Sequence, residues 1–402
     1  MQADSSWHGR LGASHWQEPT CVTTFGVAAR DYCDQKIMAH EYLDDEATLQ
    51  AKVDVLAGLC RRAQSMVAFT GAGISTAAGI DDYASKAKES SVTAAGKPVV
   101  KDWKQARPTK AHRVLAALHG AGFLKHWIQQ NHDSLPQKAG YPQAALNEIH
   151  GSLHDPANPI VPYEGHLRDD LYTWMCEWQT RADLVLALGT SLSGFNVDSI
   201  AETAARKQAD GEGLGLVIIN IQQTPFDNVC SLRLFAKLDD VMERLAIALQ
   251  VADQVRATDE PYTWRVPADV LLAEDVFRVP FDATSGDPLA HGAAEDPTQW
   301  MTLNLCVGQH VRLTGGTYEG DIGQVKEKAA DGSYRIRFED SIHPTFNVKR
   351  RPFSLWLGSW WLYEAAHGHG IVPGGKLPLV NDTPMAVHAV GGVHPRGAQG
   401  GE

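Results

Sequence analysis

Met66-Val67-Ala68-Phe69-Thr70-Gly71-Ala72-Gly73-Ile74-Ser75 joins a short apolar run to a glycine turn. An unbroken apolar run bounded by turn residues suits a strand buried on both faces. Glycines directly after such a strand let backbone N–H groups approach an anion without Cβ interference, as phosphate-binding turns do at helix N-termini. The spacing is not G-x-G-x-x-G, even with Gly79 following, and a bare glycine turn between strand and helix serves structure as readily. The neighbourhood decides. Upstream, Leu49, Val53, Leu56, Cys60 and Ala63 recur at spacings of three and four on one helical face, with Asp44 or Asp45 as N-cap. Downstream, His126 to Gln129, Leu184 to Leu188 and Leu216 to Ile219 read as strands. Ala111 to Leu118, Val197 to Lys207 and Asp239 to Leu249 read as helices. Buried strands alternating with amphipathic helices predict an α/β class, a doubly wound parallel sheet with helices on both faces, over residues 44–255.

The remainder of the 402 residues has other textures. Residues 1–43 lack a sustained period and read as an N-terminal extension. Residues 256–304, rich in Pro, Asp, Ala and Gly, read as a linker. Val311 and Leu313, Val325, then Tyr334, Ile336 and Phe338 alternate with polar residues, and Asp331-Gly332 is a hairpin signal. Residues 305–363 are thus expected to form a small antiparallel β-barrel, and the Gly-, Pro- and His-rich residues 364–402 a flexible tail. With 44% hydrophobic and 21% charged residues, wholesale disorder and fibrous classes are excluded. A net charge of −12 (36 Lys+Arg against 48 Asp+Glu) disfavours general nucleic-acid binding outside a local basic face. Six scattered cysteines without a C-x-x-C pair exclude a zinc ribbon and a disulfide scaffold. No apolar run reaches the ~18 residues of a membrane helix, and Met1 to Arg30 lacks a signal-peptide core, so an intracellular protein, cytoplasmic or nuclear, is expected.

Polar residues cluster where these strands end. Gln130-Asn131-His132-Asp133 follows one strand, at the end where doubly wound sheets bind ligands, although an Asx-type turn reads the same way. Glu148-Ile149-His150-Gly151 sets a histidine beside a glycine, where an imidazole can lie in a cleft and act as a base. Gly189-Thr190-Ser191 and Asn220 close two further strands, with small polar groups that suit ribose and phosphate or serve as helix caps.

Taken in order, these motifs resemble the sirtuin family of NAD-dependent protein deacylases. The resemblance runs through Phe69 to Ser75, Pro108-Thr109-Lys110-Ala111-His112, Gln130-Asn131 with Asp133, His150-Gly151, Gly189-Thr190-Ser191-Leu192, Ile219-Asn220 and Asp239-Asp240-Val241, about half the chain. It implies a Rossmann-like, sirtuin-type fold with NAD as cofactor and an acylated protein lysine as partner. Gly71, Ala72, Gly73 and Ser75 would wrap the NAD phosphates. Gln130, Asn131 and Asp133 would contact the nicotinamide ribose and carboxamide, and His150 would be the general base. Gly189, Thr190 and Ser191 would line the phosphate and adenosine-ribose side, Asn220 the adenosine ribose, and Leu238 the adenine. Asp82 and Tyr83 complete the implied cofactor contacts, with Tyr83 as the aromatic next to nicotinamide. The implied reaction is NAD-dependent lysine deacylation, releasing nicotinamide and O-acyl-ADP-ribose.

The chain also departs from that family. No cysteine pairs follow His150-Gly151, and Cys176 is the lone cysteine before Gly189, so the family's zinc module looks deleted and no metal is expected. The family's arginine in G-I-P-D-F-R is replaced by Ala84, with Lys86 nearby. Val161-Pro162-Tyr163-Glu164-Gly165 and Ser193-Gly194-Phe195-Asn196 differ from its substrate-gripping loops. These departures keep an NAD glycohydrolase or ADP-ribosyl transferase, and a catalytically weak NAD-binding scaffold, as alternatives. Val307 to Phe338 is similar to KOW- or Tudor-type small barrels. Arg335, Arg337 and Lys349-Arg350-Arg351 suggest a protein or nucleic-acid partner there, or a solvated face of a packing module.

Overall fold

The computed structural model describes residues 7–26, 28–29, 37–80, 106–162, 165–193, 196–256, 264–338, 354–367 and 375–382. Along the chain, the antiparallel strands β1 (Thr20–Thr23) and β2 (Glu41–Leu43) precede helix α1 (Glu46–Arg62). Asp45 caps α1, its carboxylate accepting from Ala47 N and Thr48 N. There follow β3 (Met66–Thr70), α2 (Lys110–Gly120), β4 (Leu124–Gln129), α3 (Leu135–Lys138), β5 (Leu146–Glu148) and α4 (Asp169–Arg181). Next come β6 (Leu184–Leu188), α5 (Ser199–Ala209), β7 (Gly215–Ile219), β8 (Leu232–Leu234) and α6 (Leu238–Ala248). Strands β3 to β8 form one six-stranded sheet, parallel throughout, in the order β5-β4-β3-β6-β7-β8.

The two-sided burial expected of the apolar strands is present. In β3, Met66 and Ala68 point into a core shared with α1, α2 and α6, whereas Val67 and Phe69 point into a core shared with α4 and α5. Leu184, Leu186 and Leu188 of β6 alternate with Val185 and Ala187 in the same way. The sheet is built outward from β3 in both directions, so connections diverge between β3 and β6. Such a switch point leaves a crevice at the carboxyl ends of the strands.

Residues 1–43 are more than an extension. Arg10 N and Leu11 N donate to Cys230 O and Ser231 O, and Arg233 N donates to His8 O, so this segment runs along the β8 edge. Lys52 on α1 holds it further, donating to Trp7 O at 3.4 Å while pairing with Asp44 at 2.6 Å, both side chains of the pair fully buried. Burial lowers Lys52 to about 8 and raises Asp44, each outweighing the stabilisation the pair gives. The N-terminal sequence lacked a period because its polar backbone is satisfied by this edge rather than by an amphipathic element of its own.

Residues 256–304 are not a linker either. They contain β9 (Leu271–Ala273), β10 (Val276–Val279), helix α7 (His291–Ala294) and β11 (Met301–Asn304), with the strands in the order β11-β10-β9. Phe277, Val279, Phe281, Met301 and Leu303 share a single core with the segment that follows. That segment contains β12 (His310–Leu313), β13 (Ile322–Lys328), β14 (Tyr334–Phe338), β15 (Ser354–Leu357), helix α8 (Ser359–Ala366) and β16 (Leu379–Asn381). Tyr334, Ile336 and Phe338 face inward while Arg335 and Arg337 face out, and Gly332 turns the β13–β14 hairpin at φ 84°. The sheet is antiparallel, in the order β15-β14-β13-β12-β16, and open: among the described residues no ladder joins β15 to β16, so the expected closed barrel is a curled sheet. Its β16 edge instead meets β11 through the Asn381 side chain, which accepts from Asn304 N and donates to Asn304 O, each at 2.7 Å. β16 also places part of residues 364–402 in the sheet, where they had been expected to form a flexible tail.

Candidate active site

The carboxyl ends of β3 and β6 carry the two glycine turns, and these pack backbone against backbone. Gly71 N donates to Leu188 O at 3.2 Å and Gly73 N to Gly189 O at 2.8 Å. A Cβ on Gly189 would lie 2.7 Å from the Gly73 carbonyl carbon, and Gly189 has φ +58°. Only glycine meets both demands. Beyond Gly71 the chain enters 3-10 turns at Ala72–Ile74 and Thr76–Ala78, where a helix N-terminus had been expected.

The end of β4 is tied across this seam. Asn131 Nδ2 donates to Gly71 O at 3.2 Å and to Ser75 Oγ at 3.0 Å. Ser75 Oγ in turn donates to the buried Asp133 at 2.6 Å. Asp133 Oδ1 also accepts from Gln129 Nε2 (3.2 Å) and Leu135 N (3.0 Å). Asp133 therefore acts as a buried anchor whose hold on Ser75 sets the Asn131 amide. Gln130 Nε2 reaches Thr190 Oγ1 at 2.9 Å, and Asn220 Nδ2 from the end of β7 reaches Thr190 O at 3.0 Å. Thr190 and Ser75 are buried, whereas Ala72, Gly73, Gln130, Asn131, Gly189, Ser191 and Asn220 keep part of their surface open along one crevice.

His150 follows β5 and is half-buried. Burial, helped by His132 and opposed by a bond to the Gln130 backbone, brings its imidazole down to about 4. It is therefore unprotonated at neutral pH, the form that accepts a proton. Val161 N donates to His150 O at 2.9 Å, Ile149 N to Gln129 O at 3.2 Å, and His132 Nδ1 lies 2.9 Å from Gly151 O, binding the His150 segment to the Gln130–Asp133 turn. Gly151, at φ +93°, presses on Pro159 O, which a Cβ would approach to 2.4 Å.

The strand ends thus gather Gly71, Ala72, Gly73, Ser75, Gln130, Asn131, Asp133, His150, Gly189, Thr190, Ser191 and Asn220 in one region. Leu238 opens α6 and packs against the core with α1 and α2, while Asp82 and Tyr83 lie outside the described residues. Sequence reasoning passed over His132 and Glu148. His132 occupies the variable position of the Gln130–Asp133 motif, and its imidazole links the two loops. Glu148 is fully buried, and burial raises its carboxyl to about 8, so it is a neutral acid two residues from His150. An acidic residue next to Ile149, in the short stretch ahead of His150, was the available signal.

A family profile described as the Sir2 family matches residues 95–158. An NAD-dependent protein deacetylase from Saccharolobus solfataricus is 30% identical over 212 residues, covering 40% of this chain and 83% of that protein. The chain belongs to the sirtuin (Sir2) family. Another curated sirtuin, NAD-dependent protein deacetylase sirtuin-7 of Mus musculus, is 29% identical over 284 residues, 60% of this chain and 69% of that protein. Among solved structures, one of Sir2Tm bound to a propionylated peptide is 24% identical, covering 50% of this chain and 99% of that chain at a TM-score of 0.42. The sirtuin profile spans both the Gln130–Asp133 turn and His150, the two segments that the structure joins through His132. No helix among the described residues is long and apolar enough to cross a membrane.

Proposed function

We propose that this sirtuin is an NAD-dependent protein-lysine deacylase that releases nicotinamide and O-acyl-ADP-ribose. The observation that carries the reading is the fastening of the His150 segment to the Gln130–Asp133 turn, through His132 to Gly151 O and Ile149 N to Gln129 O, with Asn131 held at the glycine turn of the switch-point crevice. The lining fits NAD: Gly73 and Gly189, lacking side chains, leave room for a pyrophosphate to approach the turns although their own N–H groups are spent on Gly189 O and Ile219 O, and the half-open Gln130, Asn131, Ser191 and Asn220 suit ribose hydroxyls and phosphate. Bound NAD would supply an electrophilic ribose carbon: the acyl oxygen of a lysine amide would bond to it as the bond to nicotinamide breaks and nicotinamide leaves as a neutral pyridine, and a ribose hydroxyl and one water would then take over the acyl carbon, freeing the lysine amine and leaving the acyl group on the ribose. Asn131, held by Gly71 O and Ser75 Oγ, orients the nicotinamide ribose. His150 Nδ1 or Nε2 accepts a proton from a ribose hydroxyl, and the lowered imidazole keeps it available for that step. Asp133 and Ser75 fix Asn131, Thr190 fixes Gln130 and Asn220, and Leu238 flanks the adenine. Among the described residues Cys21, Cys60, Cys176, Cys230 and Cys306 are free thiols, in keeping with the intracellular setting we favour.

For the C-terminal sheet we favour service to the catalytic core over nucleic-acid binding. Arg335 is spent on Glu327 at 2.9 Å across the β13–β14 pair, and the basic run at Lys349 to Arg351 lies outside the described residues. The test is NAD consumption with and without an acyl-lysine peptide, in wild type and His150→Ala. Peptide-dependent nicotinamide release, with His150→Ala losing product formation but keeping some nicotinamide exchange, supports the deacylase. Equal consumption without peptide would make the protein an NAD glycohydrolase instead.

A further inference from the structure

The segment after His150 is a closed loop. Ser152 N donates to Asn158 O at 2.8 Å and Asn158 N to Asp155 O at 3.0 Å, while Asn158 Nδ2 donates to Glu148 O at 2.9 Å. Leu153 N donates to His132 O at 3.1 Å, so both stems of the loop are fastened to the segments that carry His132 and His150. Such a unit moves as one piece, and whatever holds its tip also sets its stems.

The C-terminal part of the chain holds the tip. Gly358 N and Trp361 Nε1 both donate to His154 O, at 3.0 and 3.1 Å. Trp360 Nε1 donates to Gln143 Oε1 at 3.0 Å, just ahead of β5, and its ring meets the His154 imidazole edge-on at 5.2 Å. From the β12–β13 connection, Gly316 lies directly on the loop: a Cβ there would come within 1.8 Å of Ala157 O, and its φ is +75°. Trp360 and Trp361 are at most 2% exposed and belong to the C-terminal core, so the tip is bolted to a rigid body rather than to a surface strand.

We infer that Trp361, Gly358 and Gly316 are positioning residues for the reaction, setting His150 through the 151–158 loop, and that the C-terminal sheet is part of the catalytic apparatus. This rests on the deacylase reading for its consequence in turnover, but the mechanical link is testable without it. Trp361→Phe keeps the ring in the core and removes one of the two donors to His154 O. Loss of one neutral hydrogen bond corresponds to roughly fivefold in rate where it acts on the reacting geometry.

The experiment uses the full chain. In Trp361→Phe and Gly316→Ala we expect faster hydrogen exchange at the Ser152, Asn158 and Val161 amides, and a His150 imidazole that titrates, by NMR, closer to its ordinary value. We also expect turnover of acyl peptide to fall roughly fivefold in Trp361→Phe with the NAD dissociation constant unchanged. Adding Trp361→Phe to His150→Ala should cause no further loss. Unchanged loop exchange and an unchanged His150 titration in Trp361→Phe would overturn the inference even if Gly316→Ala failed to fold. A loss that adds fully to that of His150→Ala, or a matching loss of NAD affinity, would also overturn it. Wild-type protein that makes no O-acyl-ADP-ribose would refute the deacylase reading alone, because exchange and titration still decide whether the module holds His150.

Discussion

Ser75→Ala isolates the device that orders Asn131. In the wild type the Ser75 hydroxyl is 1% exposed, donates to the Asp133 carboxylate at 2.6 Å and accepts from Asn131 Nδ2 at 3.0 Å. The first bond is charge-assisted and worth about 1.5–3 kcal/mol, the second is neutral and worth about 0.5–1.5 kcal/mol. Alanine leaves Asp133 Oδ2 buried without that donor but keeps the Gln129 and Leu135 bonds to Oδ1. Asn131 likewise keeps its bond to Gly71 O. Both side chains are thus loosened rather than released, and the loss of stability should be about 2–4 kcal/mol. Urea unfolding of the apoprotein measures it, and calorimetric titration with NAD measures the functional share. NAD affinity should fall tenfold or more if the Asn131 amide must be fixed to receive the ribose. A Ser75→Ala protein with the wild-type urea midpoint and wild-type NAD affinity would refute the network, since no redistribution among the remaining bonds supplies a donor to Asp133 Oδ2.

Two further outcomes are expected. Gly189→Ala forces a Cβ to within 2.7 Å of the Gly73 backbone at φ +58°, so the two glycine turns must separate; NAD binding by calorimetry should be abolished, and retained affinity would show that the seam is not the cofactor site. Glu148→Gln should flatten the stability profile on the alkaline side. Glu148 has an ordinary value of 4.5 raised to about 8, so its contribution is full below 4.5 and is lost as pH rises toward 8. Asp155, raised to about 6, acts the same way at lower pH, whereas the lowered imidazoles of His8, His112, His119, His126, His132 and His150 act oppositely around and below 6.5, and Lys52, lowered to about 8, acts oppositely near 8, so the Glu148 share is read from the difference between wild type and variant. The unfolding free energy of wild type minus that of Glu148→Gln should decline as pH rises from 4.5 to 8; a difference that stays level across that window would refute the assignment.

The parallel sheet was legible because its strands are buried on both faces and are punctuated by glycine, asparagine and histidine at the carboxyl ends. Met66 to Phe69 and Leu184 to Leu188 announce themselves by composition alone, and α1 by its spacing of three and four. What stayed hidden depends on partners distant in sequence. β8 is three residues long and contains Arg233, whose guanidinium is buried against Asp227 at 2.8 Å, so it carries no apolar signature. The N-terminal segment and residues 256–304 likewise take their order from strands elsewhere in the chain, β8 and the C-terminal core. In the site, the motif residues were readable one by one. The inward bond of Ser75 was not: the family resemblance implies a place for it on the phosphates, and only the fold shows its hydroxyl reaching Asp133. His132 was quoted without a role because its partner, Gly151 O, comes from another strand end.

Burial beneath the crevice acts on His150 and Glu148 in opposite chemical directions with one electrical result. It strips the proton from the imidazole, at about 4, and keeps the proton on the carboxyl, at about 8, so both side chains are uncharged between those limits. A neutral base and a neutral acid two residues apart add no fixed charge to the segment that ends β5. The base strength that His150 gives up to burial must then be recovered when ligand binds. Phosphate charge and a developing positive charge at the ribose act on it with opposite signs, and only the former raises its affinity for a proton. The 151–158 loop continues directly from His150, so its position bears on how near the imidazole lies to either. The position of His154 O under Gly358 and Trp361 is therefore an electrostatic matter as well as a steric one, which is why a hydrogen bond from the C-terminal module should register in the titration of a histidine four residues away.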